Sequence, residues 1–307
     1  MTTPDHKPFS PLLAVNVTQP EKLKFPMYAS PKYDGIRCLM RPTADPKQAE
    51  AQSRKLKPIP NKFIRAELAR IMSAQHRFDG ELIVRNKPFH DCSSGIMSSD
   101  GQPDFEFHVF DILSVDAPFE ERLVMMKQWV SQISRVVDHG QRVKLVEQKL
   151  VHSWKDVQVY ETECLARGFE GVMLRSRYGP YKQGRSTEKE QTLLKLKRFE
   201  QDEAVVIGYE EEMHNANEAT KDATGHTKRS SHKANKVGKG TLGALRCRRP
   251  DGTEFKVAGF TDQLANELWT KGDALIGQTV TYKHQPHGAK DAPRIPTFIG
   301  IRHSDDT

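Results

Sequence analysis

The chain has 307 residues, of which 36% are hydrophobic and 28% charged, and its formal net charge is +7. That length suffices for two domains, each with its own core, and no apolar run approaches the roughly 20 residues that a membrane helix requires. A helical membrane protein and a small disulfide-stapled module are both excluded.

The N-terminal stretch MTTPDHKPFSPLLAVNV lacks the basic start and long apolar run of a secretory leader. A cytoplasmic location is the expectation, with no membrane partner. In chain order, SPKYDGIR (30–37) comes first: Asp34-Gly35 between apolar residues is a two-residue hairpin signal, because both central positions of such a turn need positive φ. By that reading Lys32 is a surface charge beside a turn. NKFIRAELARIMSAQH (61–76) places Ile64, Leu68, Ile71 and Met72 on one helical stripe, with Asn61 as the cap. RFDGELIV, FEFHVFDIL, VKLVEQ, FEGVMLRS and QTLLKLK read as strands, alternating with the helical patterns FEERLVMMKQWVSQIS and WKDVQVYETECLARG.

Beyond Lys197 the texture changes. EAVVIGYEE, TLGALRCRR, TEFKVAGF and QTVTYKHQ are short strands interrupted by one helix, TDQLANELWTKG. This pattern predicts a small Greek-key barrel of OB type, with a boundary near Phe199 to Asp202. Between its first two strands lies a polar insert at about 211–240, too poor in large apolar residues to form a core. Its later part carries Lys228, Arg229, Lys233, Lys236 and Lys239 without an acidic residue from His226 to Gly240. It reads equally as a solvated flexible loop and as a loop that orders on a phosphate backbone. The four cysteines, Cys38, Cys92, Cys164 and Cys247, have no zinc-type spacing and are expected to be reduced. The basic balance favours an anionic partner, nucleic acid foremost.

Lys-x-Asp-Gly alone is a weak motif. Its weight comes from the pieces that follow in order: Ser53-Arg54, Asp79-Gly80-Glu81-Leu82, Val109-Phe110-Asp111, Glu170-Gly171-Val172-Met173 and Leu194-Lys195-Leu196-Lys197. Arg37, Arg54, Lys195 and Lys197 with two strand carboxylates, Glu81 and Glu170, would make a costly core, because buried charges need partners. They would suit a triphosphate with a hard divalent ion, and Phe110 would offer a flat face to a base. Each residue also has a plain structural reading: exposed strand ends for the glutamates, an amphipathic strand for LKLK, and core for Phe110, which taken alone is the better reading of that residue.

In this order the pieces resemble the motifs of covalent nucleotidyltransferases, and specifically the ATP-dependent DNA ligases of small phage and bacterial type. KYDGIR is similar to the nucleophile motif, and SR, DGEL, HVFDIL, EGVMLR and LLKLK to those that follow; VGKGTLGAL, DGTEFKVAGFTD and APRIPTFIGIR resemble the C-terminal domain of small ligases. The resemblance covers nearly the whole chain. It implies an α+β, two-domain nucleotidyltransferase: a mixed antiparallel-sheet adenylation domain (ATP-grasp-like) over 1–199, then an OB-fold β-barrel over 200–307.

The implied reaction has three steps: attack of a lysine amine on the α-phosphorus of ATP, transfer of AMP to a 5′-phosphate at a nick, and displacement of AMP by the 3′-hydroxyl. Lys32 would be the nucleophile, and neighbouring cations with a bound metal would favour its neutral amine. Arg37, Lys195 and Lys197 would supply charge, the two lysines also holding the α-phosphate. Glu81 and Glu170 would serve ribose and metal, Glu170 the stronger metal ligand; Arg54 would contact phosphate of the nucleotide or the nick; Phe110 would stack on adenine; Asp34 would support the site near the 3′-hydroxyl or metal. The implied cofactors are ATP and Mg2+, with Mn2+ the alternative. The partner is nicked double-stranded DNA, gripped by the basic insert, and the chain is expected to be a monomer.

One departure stands out. Where many relatives end in Arg-x-Asp-Lys, which orients the pyrophosphate, this chain has Pro293-Arg294-Ile295-Pro296, leaving Arg294 as the candidate there. Within the superfamily the alternatives are an RNA ligase and an mRNA capping guanylyltransferase, against which Tyr33 after the nucleophile and the PRIP tail speak. Outside it, the alternative is an inactive, basic nucleic-acid-binding protein.

Overall fold

A computed structural model describes residues 9–43, 45, 48–73, 75–113, 115–137, 139–285 and 291–302. Residues 1–8, part of the stretch without a leader pattern, lie outside the described residues. The chain divides into two compact units, 1–197 with 222–225, and 198–221 with 226–307.

The elements of the first unit are β1 (Val15–Asn16), β2 (Met27–Pro31), β3 (Ile36–Pro42), β4 (Ala49–Ser53), α1 (Lys62–Ile71), β5 (Phe78–Val84), α2 (Phe89–Met97), β6 (Phe105–Ile112), α3 (Phe119–Val136), β7 (Val143–Leu145), β8 (Lys149–Val151), α4 (Trp154–Ala166), β9 (Gly171–Ser176) and β10 (Leu193–Lys197). Two five-stranded sheets result, ordered β1-β10-β9-β2-β8 and β4-β3-β5-β6-β7. Helix α1 starts where the stripe predicts: the Asn61 side chain accepts from Ile64 N, satisfying one of the orphan donors of the first turn, and Ile64, Leu68 and Ile71 are buried. Helix α2 has no counterpart in the sequence reading; its FHDCSSGIM is rich in small and polar residues, and it buries Cys92 and Ile96 in the core.

The Asp-Gly hairpin is not there. Neither Asp34 nor Gly35 takes a positive φ, and β2 and β3, which flank them, belong to different sheets. Gly35 is needed for another reason: a Cβ there would collide with the carbonyl oxygen of Leu82 and the side chain of Ile83. The glycine lets the crossing chain press against β5, and Arg37 follows on β3 as the cross-strand neighbour of Glu81.

Strand alternation sorts the side chains. In the first sheet Met27, Ala29, Val172, Leu174 and Leu194 pack with Val157, Tyr160 and Cys164 of α4. The opposite face therefore carries Ser30, Met173, Arg175, Lys195 and Lys197. In the second sheet Cys38, Met40, Phe78, Leu82, Val84, Phe105, Phe107 and Val109 join the core with residues of α1 and α3. Its opposite face carries Arg37, Asp79, Glu81, Glu106 and His108. Ion pairing links the two polar faces: Arg175 of β9 reaches Asp111 of β6.

The second unit holds β11 (Glu200–Asn215), β12 (Ala219–Lys221), β13 (Thr227–Arg229), β14 (Lys236–Arg248), β15 (Glu254–Val257), α5 (Asp262–Lys271), β16 (Thr279–Gln285) and β17 (Arg294–Ile301). Its sheet is antiparallel, ordered β15-β14-β11-β16-β17, and a bridge between Ala258 and Thr297 connects its two ends. The single helix and four of these strands, β11, β14, β15 and β16, stand where the sequence predicts, but β11 and β14 run on into the insert, and β12, β13 and β17 are additional.

The polar insert differs from a solvated loop. Strands β11 and β14 continue as a two-stranded ribbon, with Met213, His214 and Asn215 opposite Gly238, Val237 and Lys236, and β12 pairs with β13 beyond it. A segment with few large apolar residues, none of them in a core, is held here by backbone ladders and by Asn217, whose Nδ2 donates to Ser230 O at 3.1 Å and His232 O at 2.9 Å. All four cysteines are free and buried.

Candidate active site

Three strand ends meet at one end of the first sheet. Lys32 follows the last residue of β2, Glu170 precedes the first of β9, and Lys197 ends β10, because β9 runs antiparallel to both neighbours. The backbone pins this junction: Lys32 N donates to Gly171 O at 2.9 Å, and Glu170 N donates to Lys32 O at 3.1 Å. Gly171 sits at φ 148, and a Cβ on it would collide with Leu196 O. The glycine of the Glu-Gly pair thus permits the close approach of β9 to β10.

Glu170 joins the two lysines. Its Oε2 accepts from Lys32 Nζ and its Oε1 from Lys197 Nζ, and its side chain is only 3% exposed. Burial works to raise this carboxyl, but the Lys32 charge and the hydrogen bonds from both lysines outweigh it and hold it below the ordinary carboxylate range. Lys195 shares the polar face of β10; burial first, then the charges of Lys197, Lys32 and Arg185, push its ammonium down.

On the second sheet, Glu81 is pushed up to about 7, chiefly by burial, with Lys32 and Arg37 opposing and Asp79 and Asp34 adding to the rise. Glu81 and Glu170 therefore both lie in the field of Lys32 with opposite tendencies. One carboxylate is held ionised while the other is poised to take a proton near neutral pH. Such divergence between neighbouring acids is common at reactive sites.

Arg37 is placed differently from a free phosphate cation. Its Nε donates to Asp79 Oδ1 at 2.8 Å and its Nη2 to Asp79 Oδ2, a bidentate pair, and its guanidinium carbon lies 5.4 Å from the centroid of the Phe110 ring. Phe110 is half-buried on the polar face rather than in the core. A register shift between β5 and β6 pairs Asp79 with Asp111 but Gly80 with Val109, leaving Phe110 as the extra residue of a bulge.

The remaining candidates are dispersed. Asp34 is half-buried between β2 and β3, and Arg54 is exposed on the turn after β4. In the second unit Arg294 begins β17 opposite Gln285. On the ribbon Lys228, Lys233, Lys236 and Lys239 are exposed, Lys239 being paired with Glu212 at 2.7 Å. Arg229, also exposed, donates Nη1 to Asn217 O and helps hold the tip together.

Several side chains at the site escaped sequence reasoning. Asp79 anchors Arg37 and also accepts from Tyr181 Oη at 2.7 Å. Asp111 is completely buried between Arg122 and Arg175. Both aspartates stand inside quoted motifs, DGEL and VFDIL, so a signal existed; Arg122 and Tyr181 lie in a helix and a turn-rich segment with none.

Comparison with known proteins agrees with this architecture. Residues 11–197 match the family model of the ATP dependent DNA ligase domain, and residues 235–302 that of the DNA ligase OB-like domain. A curated DNA ligase of Thermococcus onnurineus (strain NA1) is 26% identical over 229 residues, covering 66% of this chain and 39% of that protein. The chain thus spans about two-fifths of that relative's length. Among solved structures, the Chlorella virus DNA ligase-adenylate is 29% identical, with coverage of 96% of this chain and 99% of that one and a TM-score of 0.53. A Lig E DNA ligase described as a minimal scaffold shares the fold at TM-score 0.70 and 23% identity, with coverage of 95% and 99%. By its ordered motifs, its two sheets and the family models matched over both units, the chain belongs to the ATP-dependent DNA ligases.

Proposed function

We propose that the chain is an ATP-dependent DNA ligase that seals 5′-phosphate/3′-hydroxyl nicks in duplex DNA, acting as a monomer. The observation that carries the reading is the ionic cluster Lys32–Glu170–Lys197 at the common end of three strands, with Glu81 in the field of Lys32.

In the first step the Lys32 ammonium gives up its contact with Glu170 and loses a proton to solvent water. Its lone pair then forms a bond to the α-phosphorus of ATP, and the bond from that phosphorus to pyrophosphate breaks. Lys195 and Lys197 offset the charge on the α-phosphate, and Phe110 holds the base by stacking. In the second step the oxygen of a 5′-phosphate displaces Lys32. In the third the 3′-hydroxyl displaces AMP, with Asp34 nearby. Arg54 contacts phosphate and Arg294 assists the departure of pyrophosphate.

Glu81 and Glu170 offer hard oxygen atoms, which suit a magnesium-type ion, with manganese as the alternative. Among the described residues no three His, Cys, Asp or Glu side chains form a metal site by themselves. An ion would therefore rest on these two carboxylates and the nucleotide phosphates. It would supply neutralisation of phosphate charge. Glu170 meets it only by releasing an ammonium.

Incubating the protein separately with labelled ATP and labelled GTP tests the reading. Covalent label from ATP is expected; label from GTP alone would turn it into a capping guanylyltransferase.

The ribbon is proposed to contact the DNA backbone. Changing Lys228, Lys233 and Lys236 together to Gln should weaken nick binding and flatten its salt dependence by roughly one unit of log-log slope per lost contact. AMP uptake, which needs no DNA, serves as the control. An unchanged slope and affinity would remove the ribbon from the interface.

A further inference from the structure

The bidentate pair between Arg37 and Asp79 is one link of a longer chain of hydrogen bonds. Asp79, whose side chain is 1% exposed, receives Arg37 on both oxygens and Tyr181 Oη on Oδ2 at 2.7 Å. Tyr181 Oη in turn accepts from Leu12 N at 3.3 Å. The segment around Tyr181 is stitched to the start of the chain: Leu13 N donates to Gly184 O at 2.9 Å, Gly184 N to Ser10 O at 3.2 Å, and Ser186 N to Leu13 O at 2.8 Å. The phenol is thus fixed from behind by backbone, not by a flexible side chain.

Arg37 uses Nε and Nη2 on Asp79, and among the described residues its Nη1 makes no hydrogen bond or ion pair. Its guanidinium plane is set by Asp79 on one side and Phe110 on the other. The direction of the remaining Nη1 donors therefore depends on where the Asp79 carboxylate is held. A carboxylate carrying only Arg37 could rotate with it; a third, rigid donor stops that rotation. Burial first, then the Asp79 charge, push the Tyr181 phenol well above its ordinary range, so it remains a donor at working pH.

We propose that Tyr181 is a positioning residue for AMP transfer: it locks Asp79, and through Asp79 it aims the free donors of Arg37 at the phosphate chemistry. This rests on the ligase reading above. A side chain in the connection between β9 and β10, outside the recognised motifs, would then set the rate of the first step without touching substrate.

The test uses the full-length chain, single-turnover AMP uptake from labelled ATP, and thermal melting. Tyr181→Phe keeps the ring and its packing and removes the hydroxyl. The maximal rate is expected to fall roughly tenfold, as for loss of a hydrogen bond to a charged group. The ATP concentration giving half the maximal rate should change less than twofold, and melting by only a few degrees. The decisive arm is the pair with Arg37→Lys. If Tyr181 acts through Arg37, the double variant is as slow as Arg37→Lys alone, whereas an independent structural role makes the two losses multiply. The proposal is overturned by a Tyr181→Phe rate equal to wild type, by multiplied losses, or by an Arg37→Lys variant as fast as wild type. A wild-type chain that takes no AMP from ATP would instead refute the ligase reading.

Discussion

A Lys32→Ala chain is expected to carry no covalent AMP after incubation with ATP. Deleting the nucleophile of a covalent enzyme costs on the order of 10⁴-fold or more, below detection in a gel-shift or intact-mass measurement. The variant should fold, because Glu170 keeps its contact with Lys197 and Lys32 is not part of the apolar core. Lys32→Arg sharpens the result: it preserves a cation for Glu170 but offers no amine that can attack phosphorus at neutral pH. AMP uptake at even a tenth of the wild-type rate in either variant would move the nucleophile elsewhere, with Lys195 and Lys197 the next amines to examine.

The second large effect is on stability. Asp111, Arg122 and Arg175 form a triad in which Asp111 and Arg122 are fully buried and the Arg175 side chain is 7% exposed. Arg122 also donates Nη1 to Gly179 O at 3.1 Å, reaching the segment before β10. Asp111→Ala leaves two guanidiniums buried without their acceptor, which should cost about 3–5 kcal/mol. In a unit of this size that lowers the melting temperature by roughly 6–20 °C. Replacing all three by apolar residues of similar volume should cost far less, because the desolvation penalty disappears with the charges. A loss below about 1 kcal/mol for Asp111→Ala, by urea or thermal unfolding, would mean that water or backbone already satisfies the arginines.

The parts of the fold legible in the sequence are those where a period carries the information. The stripe of Ile64, Leu68 and Ile71 marks a helix, and LLKLK marks a strand with Leu194 and Leu196 toward α4 and the lysines toward the site. The Asp-Gly pair reads as a hairpin turn because a local turn rule weighs only the two residues and their φ. What requires Gly35 is the approach of Leu82 O from another strand, a long-range contact invisible in a four-residue window. The ribbon in the insert is invisible for a related reason: polar composition forbids a core but not a backbone ladder, and the pairing of Asn215 with Lys236 contributes no apolar signal.

The charged residues of the site were visible as a set, but their partners were not. Read along the chain, Arg37, Arg54, Lys195 and Lys197 are cations for a triphosphate with its metal. The structure instead gives Arg37 a dedicated carboxylate, Asp79, and gives Lys32 and Lys197 a shared one, Glu170. Pairing of this kind depends on which strands lie side by side, β3 with β5 and β9 with both β2 and β10, which no spacing along the chain encodes. The same holds for Phe110, which taken alone reads as core but follows Glu106 and His108 on the polar face of β6, where the bulge also brings Asp111.

Sealing of a nicked duplex with ATP as the sole nucleotide tests the account most directly. With a 5′-phosphate and a 3′-hydroxyl at the nick and a divalent ion present, the predicted result is a continuous strand, an AMP-bearing protein that disappears as DNA is added, and neither product from the Lys32→Ala chain. Failure of the wild-type protein to join the strand while it remains folded, or joining that proceeds equally well without Lys32, would contradict it.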